Sequence, residues 1–507
     1  MVSDSTRPQQ PPRTPLSTVA EWVGADAREG STGLDRVEVT GVSLASQRVR
    51  PGDLYAALPG ARAHGADYAD AALAAGAVAV LTDAAGADRV PPGVPVLVVD
   101  DPRAVLGRLA ARVYGNPARS MRMIGVTGTQ GKTTTTRLLE SGLQWAGIPS
   151  ATIGTVGTRV LGVDVKTALT TPEAPDLHGL FAVMRERGVE ACAMEVSSHA
   201  LVLGRVDGVV FDVAVFLNLG RDHLDFHTDM EDYYRAKASL FTPERARLAL
   251  VNVDDEHGRR LAAETSLPVR TFSAAGAEAD WRAVDVELGP DRSRFEVSAP
   301  GGRRLLTGCP IPGDFNVVNT LAAIAAAGEA GLADDGGYVA SGIALGGGVP
   351  GRMERVDGDP DGVAVVVDYA HKPDAVRSVI RSLREVTESE VIVVLGAGGD
   401  RDAGKRQLMG RIAADLADVL IVTDDNPRDE DPAAIRAAVL DGAREGTAEL
   451  LEIGDRRAAI RAALERATSG DAVLILGKGH ETGQEVRGVV HPFDDRDVAR
   501  EELACLR

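Results

Sequence analysis

Met123-Ile-Gly-Val-Thr-Gly-Thr-Gln-Gly-Lys-Thr-Thr134 runs an apolar strand into a glycine turn, and a helix-forming stretch, 137–145, follows. In that setting backbone amides at the start of a helix converge and cradle phosphate. Lys132 can reach the β- and γ-phosphates of a nucleotide, and the Thr133 hydroxyl can ligate Mg²⁺. The common phosphate-loop pattern asks for glycine five positions before Gly131, where this chain has Val126. The motif is therefore a shortened form, with Gly128, Thr129, Gln130, Gly131, Lys132, Thr133 and Thr134 as its residues. Strand, turn, lysine and paired threonines predict a phosphate-loop domain built on a parallel sheet.

Outward from that loop, the chain divides. Its 507 residues, 44% hydrophobic and 25% charged, are too many for one core, and two to four domains are expected. Residues 1–15, with Pro8, Pro11, Pro12 and Pro15, read as a disordered tail. From 16 to 118, short apolar runs (77–81, 94–99) alternate with Ala-rich helical stretches (67–76, 102–114), which describes a small α/β domain. The central segment, 119–349, repeats the alternation with strands near 191–196, 213–218 and 248–252, and holds an irregular β-rich patch at 269–307. Glycines 346 to 348, then Pro350 and Gly351, open a last segment, 350–507. Its four continuous apolar runs, 363–367, 391–395, 419–422 and 472–476, are those of strands buried on both faces of a parallel sheet. The fold class is α/β in three domains, a central phosphate-loop ATPase-like domain followed by a Rossmann-like, doubly wound C-terminal one.

Composition narrows the function. Asp and Glu number 74 against 55 Lys and Arg, and a formal charge of -19 disfavours nucleic-acid binding by bulk charge. The first residues lack the order of a secretory signal, and no apolar run approaches the roughly 20 residues that span a bilayer. A cytoplasmic protein, monomeric by default, is expected. Cys192, Cys309 and Cys505 lie far apart with no CxxC pair, so neither a disulfide framework nor a thiolate zinc site is indicated. Only six of the 55 basic residues are lysines, Lys132, Lys166, Lys237, Lys372, Lys405 and Lys478. Arginine serves the general surface, so each lysine deserves a separate question, because an ammonium can lose its proton and react.

Two clusters follow strands of the central segment: Glu195, Ser197, Ser198 and His199, then Asp222, His223, Asp225 and His227. His223 and His227 at i, i+4 raise zinc, but there is no H-E-x-x-H, and carboxylates beside a phosphate loop suit Mg²⁺ better. Lys237 sits in a helical pattern, 233–241, where an exposed helix lysine is the plain expectation. The C-terminal strands each run into a polar, glycine-assisted cluster. These are Asp368 to Asp374 with His371 and Lys372, Gly396 to Asp402 with Arg401, Asp424 to Arg428, and Gly477 to Glu481. Four such clusters after four parallel strands converge on one sheet edge, which is a binding edge. Arg401, Arg428, Asp425 and Glu481 together suit a zwitterion, an amino acid for example, since guanidinium pairs carboxylate and acids accept from amines.

Taken together, these motifs resemble the Mur ligase family of ATP-dependent amide-forming enzymes in peptidoglycan synthesis, across essentially the whole chain after the tail. The resemblance implies ATP and Mg²⁺, with Asn316, Asn319, Arg352 and Asp368 on the nucleotide beside the phosphate loop. It implies that Lys237 is carbamylated and ligates Mg²⁺ with Thr133, Glu195 and His223, and that Lys132, Lys237, His223 and His371 serve the chemistry. For a UDP-N-acetylmuramoyl-dipeptide it implies Leu44, Ser46, Thr170, Thr171, Ser197 and Arg205. Here Ala45-Ser-Gln47 stands where the family has Asp-Ser-Arg, and Leu203 where a glutamine is common. The tetrad Asp425, Asn426, Pro427, Arg428 resembles the signature of members that add meso-2,6-diaminopimelate, with Arg401, Gly477 and Glu481 as further contacts. A lysine-adding ligase and a folylpolyglutamate synthase are the neighbouring possibilities. A nucleotide-switched scaffold is the alternative from another class, and it leaves the four-motif edge without a purpose.

Overall fold

The structure is a computed structural model that describes residues 6–27, 34–60, 62–167, 169–332, 337–356, 362–400 and 402–506. Among these, three large sheets succeed one another along the chain, of five, eleven and six strands. In the first, Gly41–Ser43, Asp53–Ala56, Ala79–Thr82 and Val96–Val98 lie parallel in that order. In the second, the phosphate-loop strand Arg122–Thr127 lies between Ala191–Glu195 and Val213–Phe216, parallel to both. Glu195 pairs beside Val126 and Phe216 beside Thr127, so the three strands end together and their loops leave at one edge.

The helix after the loop, Lys132–Trp145, begins earlier than the expected stretch 137–145. Four consecutive threonines, 133 to 136, are poor helix formers, and tertiary packing overrides that preference. All four are buried, and the Thr136 hydroxyl bonds back to the Lys132 carbonyl at 3.1 Å. The patch 269–307 is β-rich as expected, and its irregularity is one register shift between Val284 and Glu287. Trp281–Glu287, Ser293–Ala299 and Arg303–Cys309 form an antiparallel meander on the sheet, and Phe295 and Val297 turn inward at every second residue.

The third sheet places Ala364–Asp368, Ala472–Leu476, Val391–Ala397 and Val419–Asp424 side by side and parallel. The four strands read from the sequence are thus direct neighbours. A fifth, Glu449–Glu452, extends them, and its sequence was too short and too half-exposed to announce itself. A fully buried Arg456–Asp495 pair at 2.7 Å ties the edge, because Arg456 also donates to the carbonyls of Asp424 and Leu476. One apolar cluster joins the second and third sheets, running from Ile124 and Leu138 through Ile311 and Met353 to Val376 and Leu476.

Residues 6–15 are not a disordered tail. Arg7 is buried and pairs with Asp53 at 3.1 Å, and also bonds the Tyr114 hydroxyl. The backbone amides of Gln9 and Gln10 donate to Glu186, and Thr14–Pro15 pairs with Glu38–Val39. Composition missed this because each partner lies tens to hundreds of residues away. No helix among the described residues is long and apolar enough to cross a membrane.

Candidate active site

A cavity of about 570 Å³ opens where the second sheet's edge meets the third, and the phosphate loop forms its floor. Gly128 and Gly131 hold positive φ of 159° and 86°, and a side chain at Gly131 would strike the Asn319 carboxamide. The amides of Thr129 and Gln130 both donate to Asn218 Oδ1 at 3.0 Å, which presets the loop. Lys132 Nζ folds back on the carbonyls of Gly128 and Thr129, at 2.7 and 3.2 Å. Burial pushes its pKa down to about 8, a penalty that a phosphate would reverse.

Lys237 shares that carbonyl. Its Nζ donates to Gly128 O at 2.9 Å, and the side chain is 1% exposed, so it is no ordinary surface lysine. Burial, with the ammoniums of Lys132 and Lys372 nearby, pushes its pKa well below the usual lysine value. A neutral amine is the form that adds CO₂. Glu195, 1% exposed, accepts from the Thr133 hydroxyl at 2.8 Å and from the Thr155 amide and hydroxyl at 2.8 and 3.1 Å. Those donors are neutral, which leaves a buried carboxylate for a cation. Burial pushes His223 to about 3, so its ring is neutral; Nε2 lies 3.0 Å from Asp222, which leaves Nδ1 as its acceptor. An oxygen-rich set of Glu195 and Thr133 suits Mg²⁺. Zinc is disfavoured: His227 bonds Ser198 at 2.9 Å and Asp232, and among the described residues no group of three His, Cys, Asp or Glu side chains is placed to hold a metal ion.

On the nucleotide side, Asn319 donates to Asn316 at 3.1 Å, and Arg352 lies over the Tyr369 ring at 4.5 Å while reaching Thr133 at 3.4 Å. Asp368 is buried and accepts from the amides of Met353 and Ala370, both at 2.7 Å, so it shapes two loops. Lys372, from the third sheet, pairs with Asp222 from the second, and the two bridge the parts that enclose the cavity. His371 Nδ1 donates to the Tyr369 carbonyl at 2.8 Å, and burial pushes its pKa down to about 3.

Thr170, Thr171, Ser197 and Arg205 line the same cavity. Thr171 donates to the Glu195 carbonyl at 2.9 Å, Ser197 caps a short helix through the Ala200 amide, and Arg205 pairs with Glu173 at 2.8 Å. Leu44 and buried Ser46 belong to the first sheet's edge and are not among the lining residues.

The motifs of the third sheet meet as expected, apart from Arg401, which lies outside the described residues. Asn426 Nδ2 donates to Glu481 at 2.8 Å. A Cβ at Gly477, φ 117°, would press into the Asp425 carboxylate. The Pro427 carbonyl accepts from the Glu430 amide at 3.1 Å, which closes the turn. Arg428, at φ 52°, donates to the Gly399 carbonyl at 2.6 Å and lies 3.3 Å from Glu485. Lys372, Lys478 and Tyr369 were not given roles by the sequence. The scarcity of lysine was the available signal for the first two.

A phosphate loop floored by a parallel sheet, with a zwitterion-suited edge across the gap, fits an enzyme that spends a nucleoside triphosphate on a reaction of an amino acid. Residues 126–327 match the Mur ligase middle domain, 351–479 the Mur ligase glutamate ligase domain, and 38–114 the Mur ligase family catalytic domain. The chain is 56% identical, over 98% of both chains, to the UDP-N-acetylmuramoyl-L-alanyl-D-glutamate--2,6-diaminopimelate ligase of Streptomyces coelicolor. It is 47% identical to the UDP-N-acetylmuramyl-tripeptide synthetase of Leifsonia xyli subsp. xyli, over 97% of this chain and 96% of that one. A solved UDP-N-acetylmuramoyl-L-alanyl-D-glutamate--2,6-diaminopimelate ligase superposes with a TM-score of 0.69 at 34% identity, covering 98% of this chain and 99% of that one. The MurF ligase of Thermotoga maritima in complex with ADP shares the fold at 21% identity, with a TM-score of 0.65 over 92% of this chain and 98% of that one. This chain belongs to the Mur ligase family. It is an ATP-dependent ligase that forms an amide bond.

Proposed function

We propose that the chain adds meso-2,6-diaminopimelate to the D-glutamate side-chain carboxylate of UDP-N-acetylmuramoyl-L-alanyl-D-glutamate, in peptidoglycan precursor synthesis. The observation that carries this reading is the edge where Asn426, Arg428, Gly477 and Glu481 meet, with a guanidinium and a carboxylate for the far, zwitterionic end of the amino acid. The relatives named for that substrate, at up to 56% identity here, support it.

A carboxylate is a poor electrophile. Transfer of the γ-phosphoryl group to it makes an acyl phosphate and ADP; the amine then attacks the acyl carbon, phosphate departs and a proton is lost. Lys132 leaves its own loop carbonyls for the transferring phosphoryl oxygens, and the loop amides and Arg352 hold the charge that spreads over them. Mg²⁺, held by Thr133, Glu195, His223 and carbamylated Lys237, would supply further neutralisation of phosphate charge. His371, with Nδ1–H fixed on Tyr369, offers Nε2 as an acceptor to the incoming amine. Thr170, Thr171, Ser197 and Arg205 orient the carboxylate's own chain toward the loop, and Leu44 and Ser46 hold its nucleotide end.

The test is ATP-dependent phosphate release with the UDP-muramoyl-dipeptide and either meso-diaminopimelate, lysine or no amino acid, with the product mass measured. Ligation with diaminopimelate supports the proposal. Ligation with lysine alone overturns the substrate, and release independent of any amine overturns the amide reaction.

A further inference from the structure

Lys478 is buried completely, with 0% of its side chain exposed, yet it touches two residues assigned to the amino acid. Its Nζ donates to Asn426 Oδ1 at 3.0 Å and lies 3.4 Å from Glu481 Oε2. Asn426 Nδ2 donates to that same Glu481 oxygen, and the Glu485 amide donates to Asn426 Oδ1 at 2.9 Å. These contacts close a triangle with only one workable arrangement. Two donors aim at one atom of the Asn426 amide, so that atom must be the oxygen, and the amide nitrogen must then face Glu481. Glu481 Oε2 takes donors from both neighbours, which leaves Oε1, on a side chain 31% exposed, for an ammonium from outside.

An ammonium without solvent is costly to bury unless it is paired and hydrogen-bonded. A lysine in the turn 477–481 could snorkel outward; this one turns inward, with no exposed side-chain surface, onto Asn426 and Glu481. We propose that Lys478 is a positioning residue for the incoming amino acid: it fixes the orientation of Asn426 and Glu481 and balances the Glu481 charge before the substrate arrives. The inference rests on the proposed amino-acid site.

Lys478→Met keeps the stem and removes the charge. Losing a charge-assisted bond at each of two contacts should raise the KM for diaminopimelate about 10- to 100-fold. The KM values for ATP and for the UDP-muramoyl-dipeptide should stay within about twofold, the split expected of lost binding at one subsite. Lys478→Gln, which keeps a donor without the charge, should fall between and carries the test if the methionine variant does not fold. In a background carrying both Asn426→Ala and Glu481→Ala, Lys478→Met should add little, because both partners through which it acts are gone. An unchanged KM for the amino acid, an equal rise in all three KM values, or fully additive losses would each overturn the proposal, the last two being the mark of a merely structural lysine. If the wild type ligates lysine and refuses diaminopimelate, the substrate assignment fails on its own, and the same cycle run with lysine still decides the role of Lys478.

Discussion

Lysine differs from meso-diaminopimelate by one carboxylate, and in the proposed site Arg428 is the group that would miss it. From sequence alone, a site built for a buried polar group rejects the analogue lacking it by roughly 10⁴ to 10⁵. The structure lowers that figure. Arg428 already donates to the Gly399 carbonyl and lies 3.3 Å from Glu485, and its side chain is 24% exposed. Water and Glu485 therefore remain to it when lysine is bound. What lysine forfeits is one charge-assisted bond, about 1.5–3 kcal/mol, or about 10- to 150-fold in kcat/KM. The assay is kcat/KM for both amino acids with coupled phosphate release. Arg428→Ala should bring the ratio close to about 1. Arg428→Gly should match it in selectivity while relieving the positive φ of 52°. Glu485→Gln removes the competing charge, so the ratio should climb several-fold, while water and the Gly399 carbonyl keep it well below about 10⁴. A wild-type ratio near unity would remove Arg428 from the site, and a ratio untouched by Glu485→Gln would refute the account of why it is modest.

Three further outcomes are expected. Lys237→Ala should lower turnover by about 100-fold or more, and added formate or acetate should restore part of it by standing in for the carbamate; undiminished activity in the variant would sink the modification. Lys132 has its pKa pushed down to about 8 by burial, so its ammonium is present below that pH and lost above it. ATP affinity should hold below about pH 8 and then weaken about tenfold per unit, while Lys132→Arg shows no such break; a flat wild-type profile in calorimetry to about pH 9.5 contradicts it. Arg7→Ala strands Asp53, whose side chain is 3% exposed, and should destabilise the full chain by about 3–5 kcal/mol in urea melts, with Asp53→Asn recovering part. No change in the melt would mean the segment 6–15 carries no stability.

The phosphate loop and the four strand-and-cluster units were legible because each is local. A glycine turn between an apolar run and a helix, or a continuous apolar run ending in polar residues, carries its meaning within about a dozen positions. Their order along the chain also implied a shared edge, since parallel strands end on the same side. Other features depend on who meets whom. The prolines before residue 16 read as disorder until Asp53, Tyr114 and Glu186 supply partners for Arg7, Gln9 and Gln10. Four threonines argue against a helix until the neighbouring sheet buries them. Lys237 passes for a surface lysine, and Lys478 for a turn residue, until the fold closes over both. Arg428 reads as a guanidinium held for a substrate carboxylate until Glu485 meets it from the strand Gly483–Val486. The sequence by itself determined the strands, the loops and the class of chemistry, because short-range pattern and backbone geometry suffice for those. Only the tertiary structure decided burial, pairing and the free valences of each polar group, because those are set by residues far apart in the chain and by how little water is left between them.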